Sequence, residues 1–164
     1  MFAPDIHALA EKIIFLYTRE KRKIVTAESC TGGLIAAALT HIPGASAVVE
    51  RGFITYSNDA KIEVLAVQPE TLQEFGAVSA EVAEEMAQGA LEFSRADVAL
   101  SVTGIAGPGG GSAMKPVGLI YFGLATRHGG IMYYKCQFSG NREDVQMQAV
   151  QEGLRLLLSI EPIS

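Results

Sequence analysis

Residues 23–40, KIVTAESCTGGLIAAALT, contain a predicted strand, a glycine-bearing turn and a predicted helix in direct succession. Lys23–Glu28 is short and rich in β-branched residues, which favours a strand. Leu34–Thr40 is rich in alanine and leucine and precedes Pro43 and Gly44, which favours a helix that ends there. Ligands of open α/β sheets bind at the carboxyl ends of strands, so this turn is a candidate site.

The rest of the chain continues this alternation of helices and strands. Three longer helices are predicted over residues 4–20, Ser79 to about Ser94, and Asn141–Leu158. A further short helix is capped by Asn58 or Asp59 and runs through Lys61 to about Leu65. The further predicted strands are Glu50–Tyr56, Val98–Val102 and a hairpin of Val117–Ala125 and Ile131–Phe138 around His128, Gly129 and Gly130. This order predicts an α/β fold, a three-layer α/β/α sandwich with a mixed, mostly parallel sheet. The 164 residues contain no internal repeat or linker, so we expect a single domain over 1–164.

Composition and charge argue against several classes of protein. The net charge is −5 and the only basic run is Lys21–Lys23, so we expect no nucleic-acid partner. Cys30 and Cys136 form no C-x-x-C pair, and the carboxylates of Glu81–Glu85 lack neighbouring histidines, so we expect neither a disulfide framework nor a metal site. The chain shows no basic leader and no run of about 18 apolar residues, which predicts a cytoplasmic protein without a membrane partner.

Ser29 is a candidate nucleophile in the turn after the first predicted strand. Unpaired N–H groups at a helix start can hold an anion or a developing oxyanion, and Gly32 and Gly33 lie at that point. Cys30 is the competing nucleophile. If strand geometry continues through the turn, Ser29 and Cys30 point to opposite sides and only one faces the cleft. An ordinary N-cap, with Cys30 as a small core residue, is the alternative interpretation.

Lys61 is the candidate base for Ser29. His7, His41 and His128 are predicted to lie on the surface, so a Ser-His-Asp triad is not supported. A lysine near a serine can accept its proton if burial lowers the lysine pKa, and Tyr56 could relay or donate a proton. The alternative is a plain turn with a solvated lysine.

A second glycine-rich segment, Thr103–Ser112, follows the predicted strand Val98–Val102. It fits neither a P-loop nor the dinucleotide-binding fingerprint. Successive N–H groups in such a loop can form an anion nest, although a merely flexible loop is the alternative. Arg142, at the start of the last predicted helix, could fork onto a phosphate or a carboxylate, or pair with Glu143.

In this order and spacing, the motifs resemble the C-terminal domain family of the competence/damage-inducible protein CinA. The residues that carry the resemblance are Ala27–Gly33, Gly52–Tyr56, Asn58–Lys61, Gly76–Ser79, Thr103–Gly110, Lys115–Gly118 and Phe138–Arg142. The resemblance extends from about Ile6 to Leu158 and is to the stand-alone form, which lacks the larger N-terminal domain of some relatives.

The resemblance implies hydrolysis of the carboxamide of nicotinamide mononucleotide to nicotinate mononucleotide and ammonia. It implies a small-molecule nucleotide substrate, no cofactor, no required metal, and self-association into a homo-oligomer. By position, Ser29 would be the nucleophile, with Lys61 and Tyr56 assisting proton transfer. The residues implied in substrate binding are Thr31, Gly32 and Gly33 at the helix start, and Thr103, Gly104, Gly107, Gly109, Gly110 and Arg142 around the nucleotide.

One position departs from the family pattern. Relatives often have a second arginine where Gln146 stands, so we expect weaker phosphate binding unless Lys115 compensates. Two other functions stay open: hydrolysis of another amide or a phosphoester in the same pocket, and a nucleotide-binding regulatory module without catalytic activity.

Overall fold

A five-stranded sheet forms the centre of residues 1–161, the part of the chain that this computed structural model describes. The strands are β1 (Ile24–Glu28), β2 (Val49–Ile54), β3 (Val98–Gly104), β4 (Leu119–Thr126) and β5 (Ile131–Gln137). Their order across the sheet is β2-β1-β3-β4-β5. Every residue of the interior strand β1 is buried, which agrees with the small and apolar residues that precede Glu28.

The sheet is mixed, as predicted. Strand β1 pairs in parallel with β2 and with β3, whereas β4 pairs antiparallel with both β3 and β5. Four strands therefore run in one direction and β4 runs in the other. Of the four strand pairings, two are parallel and two are antiparallel. Strands β4 and β5 form the predicted hairpin.

Helices cover both faces of the sheet, which confirms the three-layer α/β/α sandwich. The first face carries α1 (Pro4–Arg19), α2 (Leu34–Thr40) and α6 (Arg142–Leu158), and the second carries α3 (Asn58–Leu65), α4 (Pro69–Phe75) and α5 (Ala80–Glu92). Each face has its own apolar core, and the one under α3–α5 is rich in alanine. None of the described helices is long and apolar enough to cross a membrane.

Three local features differ from the prediction. Helix α4 was not predicted, because only Leu72 of its seven residues is buried and no apolar stripe forms. The N-cap of α3 is Ser57 rather than Asn58 or Asp59, since the Ser57 hydroxyl accepts a hydrogen bond from the Ala60 amide at 3.0 Å. A 3₁₀ turn over Ala45–Ala47 was also not predicted.

Helix α5 approaches the end of α3 closely at Gly89. A Cβ atom at Gly89 would overlap the carbonyl oxygen of Leu65, the last residue of α3. Because overlap with backbone cannot be relieved by a rotamer change, a larger residue would push the two helices apart. The glycine therefore sets the position of α3, which carries Lys61.

We expect Gly89→Ala to destabilise the protein by about 1–3 kcal/mol, since this overlap outweighs the helix propensity that alanine gains. Chemical denaturation measures the change. Gly130→Ala is the matched control, because a Cβ atom there meets nothing within 4 Å. Equal stability of the two variants would contradict this account of α3.

Candidate active site

Ser29 lies immediately beyond β1, at the carboxyl edge of the parallel strands. Its amide donates to the carbonyl of Val102 in β3 at 3.0 Å, which fixes its backbone between the two strands. Strand geometry ends at Glu28, so the alternation that would separate Ser29 from Cys30 does not apply, and both residues contribute to the wall of one cleft. The Cys30 side chain packs in the apolar core, and burial raises the pKa of its thiol to about 12. Cys30 is therefore protonated near neutral pH.

Lys61 reaches Ser29 from helix α3. Its Nζ lies 2.9 Å from Ser29 Oγ and 2.8 Å from the carbonyl oxygen of Thr55, and the residue is only 1% exposed. No ion pair within residues 1–161 includes it. Burial lowers the pKa of Lys61, because transfer from water penalises the ammonium form. A neutral amine beside a hydroxyl is the arrangement that lets a lysine accept a serine proton.

Glu28 was not identified from the sequence, yet it organises the turn that follows. Its carboxylate is 1% exposed and accepts from the Thr31 hydroxyl at 2.7 Å. It also accepts from the amides of Ile35 and Ala36 in the first turn of α2, at 2.9 and 3.0 Å. The N-cap of α2 is Gly33, which has no side chain to offer and a φ of 101° that favours glycine. Glu28 thus caps the helix from a distance and neutralises its positive end.

The turn leaves a small set of backbone donors near Ser29. The Gly32 amide is already engaged with the Ser29 carbonyl at 3.0 Å. The amides of Thr31 and Gly33 donate no hydrogen bond to any residue among those the structure describes, and the Cys30 amide contacts its own thiol. The Thr31 and Gly33 amides are the candidates for holding a negative oxygen, and Gly32 is not.

Arg142, at the start of α6, joins two of the segments that line the cleft. Its guanidinium donates to the carbonyl of Gly107 at 2.8 Å and to the hydroxyl of Tyr56 at 2.9 Å, and it makes no ion pair with Glu143 in the described chain. Tyr56 is 60% exposed and donates to neither Ser29 nor Lys61 within residues 1–161. The Thr103 hydroxyl donates to the carbonyl of Ala77 at 2.9 Å.

The cleft brings most of the predicted site residues together. Those that line it are Ser29, Tyr56, Lys61, Thr103, Gly104, Gly107, Gly109, Gly110 and Arg142. Thr31, Gly32 and Gly33 lie in the adjoining turn but do not line the cleft, and neither do the three histidines. Ala77 and Val78 also line the cleft. They belong to the motif Gly76–Ser79, but they were not predicted as site residues.

The charge of the cleft contrasts with that of the whole protein. Arg142 is its cationic lining residue, Lys61 is a second basic group, and no carboxylate among residues 1–161 lines it, whereas the chain has a net charge of −5. This favours an anionic ligand. No group of three or more potential metal ligands of the His, Cys, Asp or Glu type occurs in residues 1–161.

The contacts of Lys115 and Gln146 differ from the expectation for a phosphate site. Lys115 does not line the cleft, and its ammonium donates to the carbonyl of Phe75. The side-chain amide of Gln146 donates to the carbonyl of Cys30 at 3.0 Å. Gln146 therefore contacts the Ser29 turn.

We expect Ser29 to react with a fluorophosphonate at a rate that rises with pH, with a midpoint below the ordinary lysine value of about 10.5. The sign follows from burial: a lowered pKa means that neutral Lys61 is present at lower pH than a solvated lysine would allow. Rates of covalent labelling between pH 6 and 11, followed by mass spectrometry, measure the midpoint.

Lys61→Arg keeps a permanent positive charge and should reduce the labelling rate by at least about 100-fold. Lys12→Arg on α1 controls for the substitution itself. A Lys61→Arg variant that reacts at the parent rate would remove Lys61 from the role of base.

Comparison with known proteins yields a consistent set of similarities. The CinA C-terminal domain family matches residues 6–160. The nicotinamide-nucleotide amidohydrolase PncC of Escherichia coli strain K12 is 53% identical over 154 residues, which cover 93% of this chain and 93% of that protein. The crystal structure of the competence/damage inducible protein CihA from Agrobacterium tumefaciens matches with a TM-score of 0.95 and 50% identity, covering 97% of each chain.

Longer relatives match as well. A putative competence-damage inducible protein of Caldicellulosiruptor bescii is 50% identical over 157 residues. These residues are 96% of this chain but only 38% of that protein.

Proposed function

Because the chain belongs to the CinA C-terminal domain family, we propose that it is a nicotinamide-nucleotide amidohydrolase, which converts nicotinamide mononucleotide to nicotinate mononucleotide and ammonia. The observation that carries the proposal is the buried 2.9 Å contact between Lys61 Nζ and Ser29 Oγ. The 53% identity to PncC, a protein named for this activity, over nearly the whole length of both chains supports it.

Ser29 is the nucleophile in this proposal and Lys61 is the base. Neutral Lys61 accepts the hydroxyl proton while Oγ bonds to the carboxamide carbon. The resulting tetrahedral intermediate collapses as the C–N bond breaks, and the Lys61 ammonium returns the proton to the departing ammonia. Lys61 then deprotonates a water molecule, which attacks the ester carbonyl and releases the carboxylate as Ser29 recovers its proton. The positively charged pyridinium ring withdraws electrons and makes the carbonyl more reactive.

The oxyanion of the tetrahedral intermediate would be held by backbone amides of the Ser29 turn. Those of Thr31 and Gly33 donate to no other residue in the described part of the chain. One oxyanion donor contributes about 3 kcal/mol in well-studied hydrolases.

The substrate phosphate would lie near Arg142 and the glycine loop. The N-terminus of α2 is the other anion site that the fold offers, but the Glu28 carboxylate already occupies its amides. Arg142 can exchange two neutral oxygens for phosphate, and Gly109 and Gly110 allow close backbone approach. Assistance by Tyr56 in proton transfer stays a prediction, while its contact with Arg142 favours a part in positioning the guanidinium.

Three further expectations stay predictions: a single domain over 1–164, a homo-oligomer, and a location in the cytoplasm, where pyridine nucleotides are recycled.

We expect purified protein to release ammonia from nicotinamide mononucleotide without added metal, and Ser29→Ala to lose at least about 1,000-fold in kcat because the nucleophile is gone. Cys30→Ala should retain most of the turnover, because the buried thiol packs in the core. A coupled assay for ammonia measures both variants, after circular dichroism has verified their fold.

These measurements identify the nucleophile and distinguish an enzyme from a binding module. Loss of turnover in Cys30→Ala but not in Ser29→Ala would assign the nucleophile to the cysteine. Binding of the nucleotide by calorimetry, without ammonia release from the parent protein, would favour a binding module over an enzyme.

We expect Arg142→Ala to raise KM for nicotinamide mononucleotide about 10- to 100-fold, since charge-assisted hydrogen bonds contribute about 1.5–3 kcal/mol. The same variant should change KM for nicotinamide riboside, which lacks the phosphate, by less than about threefold. Arg155→Ala, which removes an exposed arginine from the far end of α6, is the matched control. An equal effect of Arg142→Ala on both substrates would place the phosphate elsewhere.

A further inference from the structure

Gln146 joins helix α6 to the turn that carries Ser29. Its Nε2 donates to the carbonyl oxygen of Cys30 at 3.0 Å, between residues 116 positions apart in the chain. Gln146 lies one helical turn beyond Arg142, and its side chain contacts the turn that carries Ser29. Its amide N–H is therefore committed to the protein backbone.

This hydrogen bond orients a peptide group as well as a carbonyl. The Cys30 carbonyl and the Thr31 N–H belong to one planar trans peptide, so they point in opposite directions. Because Gln146 holds the carbonyl toward α6, the Thr31 N–H is directed away from α6. Lys61 reaches Ser29 from α3, which lies in the opposite helical layer.

The next residue in the turn is held independently. The Thr31 hydroxyl donates to the buried Glu28 carboxylate, which is itself anchored on the amides of Ile35 and Ala36. The peptide between Cys30 and Thr31 is thus fixed at its carbonyl by Gln146 and at the following side chain by Glu28. Its N–H is left without an acceptor among residues 1–161.

We infer that Gln146 is a positioning residue, which holds the turn that carries Ser29 through its hydrogen bond to the Cys30 carbonyl. The inference rests on the proposed function, in which Ser29 attacks an amide. It also gives position 146 a role different from phosphate binding: Gln146 acts on the chemical step and leaves nucleotide affinity to Arg142. A nucleophile held in the reactive geometry reacts faster, because little further ordering is needed to reach the transition state.

Two variants of similar size test the requirement for a donor. Gln146→Met cannot donate, and Gln146→Glu places a carboxylate against the Cys30 carbonyl. We expect kcat for nicotinamide mononucleotide to fall roughly 10- to 100-fold in both, with the larger loss in Gln146→Glu, because small misplacements of catalytic groups have effects of this order. KM should change by less than about threefold, since the substrate contacts of Arg142 are unchanged.

Gln151→Met is the matched control on the same helix. Gln151 donates its side-chain amide to Asp5 on α1, away from the cleft, so this variant should keep the parent kcat. Circular dichroism and thermal unfolding verify that all three variants are folded.

Covalent labelling of Ser29 by a fluorophosphonate supplies a readout that does not depend on the nucleotide. Ser29 attacks the label from the same turn, so the labelling rate should fall in Gln146→Met and Gln146→Glu and stay unchanged in Gln151→Met. Parent protein that reacts with the label but does not hydrolyse the nucleotide would refute the proposed function alone. An unchanged kcat and labelling rate in both Gln146 variants, or a loss confined to KM, would overturn the role of Gln146.

Discussion

The burial of one amine beside one hydroxyl is the constraint on which the site depends. An ammonium group in the Lys61 position has no carboxylate partner in the described chain, and burial of an unpaired charge is strongly unfavourable. Burial lowers the pKa of Lys61, and the Thr55 carbonyl and the Ser29 hydroxyl are the hydrogen-bond partners of its amine. The close packing of α5 against the end of α3 maintains this burial. The packing of the helices therefore contributes directly to the lowered pKa.

The position of Glu28 explains how an acidic chain keeps a cationic cleft. This carboxylate immediately precedes Ser29 in sequence, yet its oxygens are taken up by the Thr31 hydroxyl and two amides of α2. Its charge is therefore balanced by the positive end of the helix and not by Lys61. A carboxylate directed at the Lys61 amine would stabilise its ammonium form. The capping of α2 thus keeps the Glu28 charge away from Lys61, although Glu28 adjoins Ser29, which Lys61 contacts.

Most helices and strands could be predicted from the sequence, and so could the proximity of Ser29 and Lys61. These residues follow neighbouring parallel strands, so the carboxyl edge of the sheet brings their segments together. The contacts of Glu28 and Gln146 were not predicted, because they depend on where side chains point relative to a turn of irregular geometry. Helix α4 was missed for a similar reason: its position reflects one buried leucine and a proline start, not an amphipathic pattern.

Arg142 shows how recognition can be prepared before a ligand arrives. Asn141 and Asp144 form a reciprocal capping box at the start of α6, which fixes the backbone from which the arginine extends. The guanidinium then rests on two neutral oxygens, those of Gly107 and Tyr56, which belong to the two loops flanking the cleft. A phosphate competes well with such acceptors because a charged acceptor forms the stronger hydrogen bonds. The cleft thus combines a buried amine in contact with a hydroxyl and a guanidinium that is oriented by two neutral acceptors.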